Sequence, residues 1–145
     1  IYVNIHLLEG TYVGAGNLNL TFNNLGYLNI IGVDGKTIIN GSNKDWAFNF
    51  GSTLNVNIIN ITFANLYQNN YVGLIKASGN DYAVNIDNCV FEKCNTKYII
   101  YITNGEINNV IMRENIITGC VISGGTSITN LLFENNFNFM LAGCG

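Results

Sequence analysis

The sequence predicts an all-β chain, wound as a right-handed parallel β-helix (a β-solenoid) of about six coils with three short strands per coil. Residues 1–145 are expected to form one domain, a segment of a longer solenoid. Three observations carry this expectation. A strand-like triplet recurs at a nearly constant step. Two more short strand patterns follow it in most repeats. The composition is rich in apolar residues and poor in charge.

The triplet comes first. Val3-Asn4-Ile5 returns as Leu28-Asn29-Ile30, Val56-Asn57-Ile58 and Val84-Asn85-Ile86, at steps of 25, 28 and 28 residues. Looser copies follow at Val110-Ile111-Met112 and Leu131-Leu132-Phe133. Each triplet alternates apolar, other, apolar, which is the period of a strand. The second pattern is Ile61-Thr62-Phe63, Cys89-Val90-Phe91, Ile116-Ile117-Thr118 and Phe137-Asn138-Phe139. The third runs over Leu18–Phe22, Trp46–Phe50, Tyr71–Ala77, Tyr98–Thr103 and Cys120–Ser123. Gly, Asn, Asp and Ser separate them, the residues that turn a chain.

One such coil cannot bury its own inner face. Stacking coils at about 4.8 Å pairs every strand and joins the apolar residues into columns. A Greek-key sandwich also predicts alternating strands, but not aligned columns. Stacking explains the abundance of Asn as well. An Asn at a corner tolerates left-handed backbone and can bond to the Asn of the next coil. Gly32, Asn60, Asn88, Asn115 and Asn136 are the expected corner column. Asp87, Arg113 and Glu134 are expected beside the core as a surface ion ladder, worth about 0–1 kcal/mol per pair.

Composition excludes several function classes. Apolar residues make up 48% of the chain and charged ones only 10%, with no Pro, which argues against a disordered or Pro-stiffened linker. Net charge is −3, and Arg113 and the lysines at 36, 44, 76, 93 and 97 are scattered. Nucleic-acid binding needs basic clusters, so none is expected. No apolar run reaches the length of a membrane span. A single His and the absence of a CxxC pair make a zinc site improbable, and no cofactor is expected.

Catalytic equipment is hard to assemble from these residues. Asp34, Asp45, Asp81 and Asp87 fall in different columns, without the pairing a glycosidase requires. A lyase needs a base and calcium-holding carboxylates. His6 stands alone on the first strand, with no nucleophile signature near it. The chain is therefore expected not to be an enzyme.

Other residues invite binding or covalent roles. Cys94, Cys120 and Cys144 are each spaced by close to one coil and form a candidate column. At that spacing both a disulfide and a stack of buried free thiols are compatible. Trp46, Tyr71, Tyr98 and Tyr101 lie near turns or on the third strand. Exposed aromatic rings there would stack on sugars or anchor a protein partner. Asn19-Leu20-Thr21, Asn40-Gly41-Ser42 and Asn60-Ile61-Thr62 match the N-glycosylation sequon, with Asn40 and Asn19 the candidate acceptors.

Leu8-Glu9-Gly10-Thr11-Tyr12-Val13-Gly14 resembles the opening coil of pectin-lyase-like β-helices, and Asn29-Ile30-Ile31-Gly32 with Lys36-Thr37-Ile38-Ile39-Asn40-Gly41 resembles the next. Asn57-Ile58-Ile59-Asn60-Ile61-Thr62-Phe63 and Asn85-Ile86-Asp87-Asn88-Cys89-Val90-Phe91 resemble repeats of adhesin-like surface proteins of methanogenic archaea, with kin in polymorphic outer-membrane proteins. The likeness implies extracellular display at the cell surface and adhesion, with glycans or surface proteins as partners. It supplies no catalytic motif. A degenerate or incomplete polysaccharide-processing β-helix is the alternative. The chain opens directly on a strand and closes without a charged cap, so end-to-end stacking of subunits into a filament is a third expectation.

Overall fold

Leu28, Val56 and Val84 lie in one column, each paired in parallel with the next. The computed structural model describes residues 1–69, 73–77, 82–137 and 140–142. Among these the chain forms strands and no helix, so no helix is long and apolar enough to cross a membrane. In chain order the strands are β1 (Tyr2–His6), β2 (Gly10–Tyr12), β3 (Leu20–Thr21), β4 (Tyr27–Ile31), β5 (Thr37–Asn40), β6 (Phe48–Asn49) and β7 (Asn55–Ile59). They continue as β8 (Thr62–Ala64), β9 (Tyr67–Gln68), β10 (Ile75–Ala77), β11 (Ala83–Glu92), β12 (Asn95–Arg113), β13 (Ile116–Glu134) and β14 (Met140–Ala142).

Among the described residues every pairing is parallel, and the strands wind into a three-faced solenoid. The first face stacks β1, β4, β7, β11, β12 and β13. The second stacks β2, β5 and β8 on the later parts of β11, β12 and β13. The third stacks β3, β6, β10, the early parts of β12 and β13, and β14. The last coils run so directly from face to face that β12 and β13 each continue as one strand across the corners, with two shifts of register between them.

Alternation decides what is buried. On the first face Ile5, Ile30, Ile58, Ile86, Ile107 and Ile128 form an inward column. On the second, Tyr12, Ile39, Phe63, Phe91, Met112 and Phe133 do so. Phe63 and Phe91 are stacked with centroids 4.8 Å apart and planes 12° apart, close to the coil spacing itself. Leu20, Phe48, Ile75, Ile100 and Ile122 supply the third column, each within a segment expected as the third strand. Ile30, Ile58, Ile86, Phe63, Phe91 and Ile100 are all essentially inaccessible to solvent. Burying a side chain of this kind contributes about 1.5–3 kcal/mol.

The Asn of the repeated triplet points outward and forms an amide ladder. The Nδ2 of Asn29 donates to Asn4 Oδ1 at 2.8 Å, Asn57 to Asn29 at 2.7 Å and Asn85 to Asn57 at 3.2 Å. The Glu106 N–H then donates to Asn85 Oδ1 at 3.1 Å. Each rung therefore satisfies the acceptor of the rung before it.

The later coils correct the expected register. Val84 pairs with Gly105 and Ile86 with Ile107, while Cys89, Val90 and Phe91 pair with Val110, Ile111 and Met112. Val110–Met112 and Leu131–Phe133 thus continue the second strand, not the first. The step has fallen from the 28 residues between Asn57 and Asn85 to the 21 between Asn85 and Glu106. The connection from the third face back to the first has shortened. β10 ends at Ala77 with β11 opening at Ala83, whereas β12 runs through the same corner unbroken.

The corner columns shift accordingly. Asn60 and Asn88 share a corner, with φ of 61° and 52° and an amide bond of 2.8 Å between them. Asn109 (φ 53°) and Asn130 (φ 55°) continue this corner, in place of Asn115 and Asn136. Gly32 belongs at its head, but for a different reason from left-handed backbone. A Cβ there would come within 2.5 Å of the Asn60 carbonyl and 2.7 Å of Thr37 Cβ. A second left-handed corner stacks Asn65, Lys93, Glu114 and Asn135, with φ of 52–56°.

Asn115 and Asn136 follow that second corner. Asn115 Oδ1 accepts from the Cys94 N–H at 2.9 Å, and Asn136 Oδ1 accepts from both N–H and Nδ2 of Asn115 at 3.0 and 2.9 Å. Cys94 is therefore stacked on Asn115, and Cys120 is paired with Tyr98 instead. The expected column through Cys94 and Cys120 does not form, because the shorter coil displaces their registers. Cys144 lies outside the described residues. The ion ladder moves too. Arg113 pairs with Glu92, with Nη2 to Oε2 at 2.8 Å, and Asp87 accepts from Asn109 Nδ2 at 3.0 Å.

Candidate functional site: an aromatic pair at a bulge on the third face

Pairing between β12 and β13 slips twice on the third face. Thr96 pairs with Ile117 but Tyr98 with Cys120, so β13 carries an extra residue. Tyr101 pairs with Ser123 but Asn104 with Gly125, so β12 carries the extra residue there. Bulges of this kind re-aim side chains. The buried Thr96 fixes the first one, donating from Oγ1 to the Tyr98 carbonyl at 2.8 Å. The N–H of Leu74 is shared between the carbonyls of Tyr98 and Ile99, at 3.1 and 3.0 Å.

Between the two slips, Tyr98 and Tyr101 are half-buried and meet edge to face, with centroids 5.3 Å apart. Lys97 Nζ stands 5.7 Å from the centroid of the Tyr98 ring. Lys76 occupies the neighbouring rung, paired with Tyr101. Gly119 makes this packing possible. A Cβ at that position would lie 2.8 Å from Lys97 Cγ and 3.4 Å from the Tyr98 ring. Two phenol rings, with one ammonium group beside Tyr98 and a second lysine on the rung next to Tyr101, offer an apolar platform with polar edges. Such a surface suits a ring-shaped polar ligand or a partner side chain.

The other aromatic candidates do not join this pair. Trp46 sits two coils earlier and packs partly buried against the core, with its N–H backbone bonded to Asn19 Oδ1 at 3.0 Å. Tyr71 lies outside the described residues. Sequence reasoning named Tyr98 and Tyr101 but missed the bulges that bring them together. The neighbouring Gly119 is the one signal of close packing there.

No protein-family model, curated protein or solved structure matches the chain.

The acidic candidates are dispersed. Asp45 Oδ1 accepts from Asn19 Nδ2 at 2.8 Å, Asp34 is exposed in a turn, and Asp81 lies outside the described residues. Among the described residues no three His, Cys, Asp or Glu side chains gather closely enough to hold a metal ion. An apolar cavity of about 190 Å³ opens at the first coil, lined by Ile5, Leu7, Tyr12, Leu20, Phe22 and Phe48 among others. Its walls are the first members of the core columns.

Cys89 and Cys94 are buried free thiols. Burial pushes each up to about 12. Each Sγ faces backbone carbonyls, Cys89 those of Asp87 and Ile58, Cys94 those of Glu92 and Phe63. Neither is placed as a nucleophile. Cys120 is disulfide-bonded.

Proposed function

We propose that the chain is a structural and adhesive segment of an extracellular cell-surface protein, acting by display and binding without catalysis. One observation carries this reading: the amide ladder through Asn4, Asn29, Asn57 and Asn85 bonds coil to coil, which suits a scaffold. The likeness of the Asn57–Phe63 and Asn85–Phe91 repeats to adhesin-like surface proteins supports the same reading. Purified chain coupled to beads should adhere to glycan- or protein-coated surfaces and release no sugar from polysaccharides. Turnover of any polysaccharide that disappears on Asp45→Asn or Asp87→Asn would overturn it.

A second reading is a polysaccharide-binding β-helix. The Tyr98–Tyr101 pair with Lys76 and Lys97 beside it favours this. A glycan array should then give signals that drop at least tenfold on Tyr98→Ala or Tyr101→Ala. Signals insensitive to both substitutions would remove the reading.

A further inference from the structure

Three sequons occur in the chain, and the fold treats them differently. At Asn19-Leu20-Thr21 the amide is engaged on both sides: Nδ2 donates to Asp45 Oδ1 at 2.8 Å, and Oδ1 accepts from the Trp46 N–H at 3.0 Å. Leu20 and Thr21 run on as β3, with Leu20 against the core. At Asn60-Ile61-Thr62 the asparagine is held in its corner by Asn88, at 2.8 Å. Ile61 is 1% exposed, and Thr62 is paired on both sides, with Ile38 and Val90. Neither sequon can leave the sheet without breaking it.

At Asn40-Gly41-Ser42 the asparagine is paired in the sheet with Ala64, but Gly41 and Ser42 lie outside any strand. Asn40 closes β5, and the chain then leaves the sheet in a tight turn. Ser42, Asn43 and Lys44 are exposed, with Ser42 and Asn43 in left-handed backbone at φ of 53° and 60°. The Ser42 N–H donates to Asn40 Oδ1 at 2.9 Å, an Asx-turn within the sequon itself. Asn65 Nδ2 reaches the same oxygen at 3.5 Å. Asn40 Nδ2, like Asn60 Nδ2 and unlike Asn19 Nδ2, donates to no described residue, so it is the exposed turn after Asn40 that separates it from Asn60. The carbonyl oxygen is thus anchored while the amide nitrogen is left for reaction. The turn is closely packed at Gly41, where a Cβ would come within 2.5 Å of the Asp45 carbonyl and 2.7 Å of the Asn65 carbonyl.

We propose that Asn40 is the N-glycan acceptor of this chain, selected by the fold over Asn19 and Asn60. The donor is a lipid-diphosphate-linked oligosaccharide presented by an oligosaccharyltransferase. Asn40 Nδ2 forms the bond to the sugar anomeric carbon, the bond from that carbon to the diphosphate oxygen breaks, and the lipid diphosphate leaves. The amide proton passes to a base of the transferase. Occupancy in the cell rests on the proposed extracellular location, whereas acceptor choice does not.

The test is transfer to purified, folded chain by a single-subunit oligosaccharyltransferase with a lipid-linked oligosaccharide, read by intact mass and peptide mapping. One glycan, on Asn40, is expected, with none on N40Q or S42A. S42A keeps the backbone N–H that closes the turn, so its loss of transfer is not a folding effect, and unchanged melting of both variants checks this. No transfer to the wild type, or equal transfer to Asn19 or Asn60, would overturn the assignment. Transfer in vitro with an unmodified Asn40 in protein from its natural source would uphold the acceptor choice and overturn occupancy in the cell.

Discussion

Gly105 lies directly under the carbonyl of Val84, so closely that a Cβ on Gly105 would collide with that carbonyl. Its φ of 147° is one that side-chain-bearing residues rarely adopt. This contact is where the coil shortens. The inward column Val3, Leu28, Val56, Val84 ends its run of large side chains there, and the chain turns from the third face to the first at once. Gly105→Ala should cost about 2–6 kcal/mol, from backbone strain together with displacement of the Val84 rung. Urea unfolding followed by circular dichroism measures it. A change below 1 kcal/mol would show that the corner relaxes freely.

Asn115 is 1% exposed and holds three neighbours: the Cys94 N–H, the Phe91 carbonyl and Asn136. Asn115→Leu keeps the branched shape and the number of side-chain heavy atoms but is bulkier, and it removes the partner of the Cys94 N–H and of the Phe91 carbonyl. A loss of roughly 2–5 kcal/mol is expected. The half-buried pair Arg113–Glu92 gives the contrast: Glu92→Gln keeps an oxygen acceptor for Arg113 and should cost only about 0–1 kcal/mol. Denaturant midpoints of the two variants, measured side by side, should rank in that order.

The second left-handed corner contains two residues poorly suited to it, Lys93 (φ 54°) and Glu114 (φ 56°), between Asn65 and Asn135. Left-handed backbone costs an ordinary residue about 1–2 kcal/mol, and Asn less. Lys93→Asn and Glu114→Asn should each stabilise the protein by roughly 0.5–1 kcal/mol. A calorimetric melt should move upward for each, by about 2–4 °C. A downward shift would mean that the charged side chains contribute more than the backbone loses.

The buried thiols set a pH dependence. In the folded protein Cys89 and Cys94 hold their protons up to about 12, whereas an unfolded thiol ionises near 9.0. Between those values the unfolded state binds fewer protons than the folded one. The stability these thiols contribute is thus fully present below pH 9 and is lost as pH rises toward 12. Alkylation at pH 8 should label neither thiol in the native protein and both after denaturation. Rapid labelling of the native state would contradict their burial.

Much of this architecture was legible because stacking repeats chemistry at fixed positions. Val3, Leu28, Val56 and Val84 align in the sequence, whereas on the third face only the strand segments were legible and the pairing supplies the column Leu20, Phe48, Ile75 and Ile100. The shortened coils were not legible, since Val110-Ile111-Met112 alternates just as Val84-Asn85-Ile86 does. A period of two names a strand but not its face. Only the pairing of Cys89 with Val110 separates the two, and this moved Asn115, Arg113 and Cys94 out of their expected columns. The Tyr98–Tyr101 pair was legible as residues and not as a site, because the bulges that join them depend on β13.

The outward Asn ladder turns the solenoid into a ruler. Equivalent residues repeat at about 4.8 Å along the axis, so each outward column is a graduated scale. A partner whose own groups recur at that interval meets every graduation, and its contacts add along the rod. A partner without that period registers on one graduation alone and gains nothing from the others.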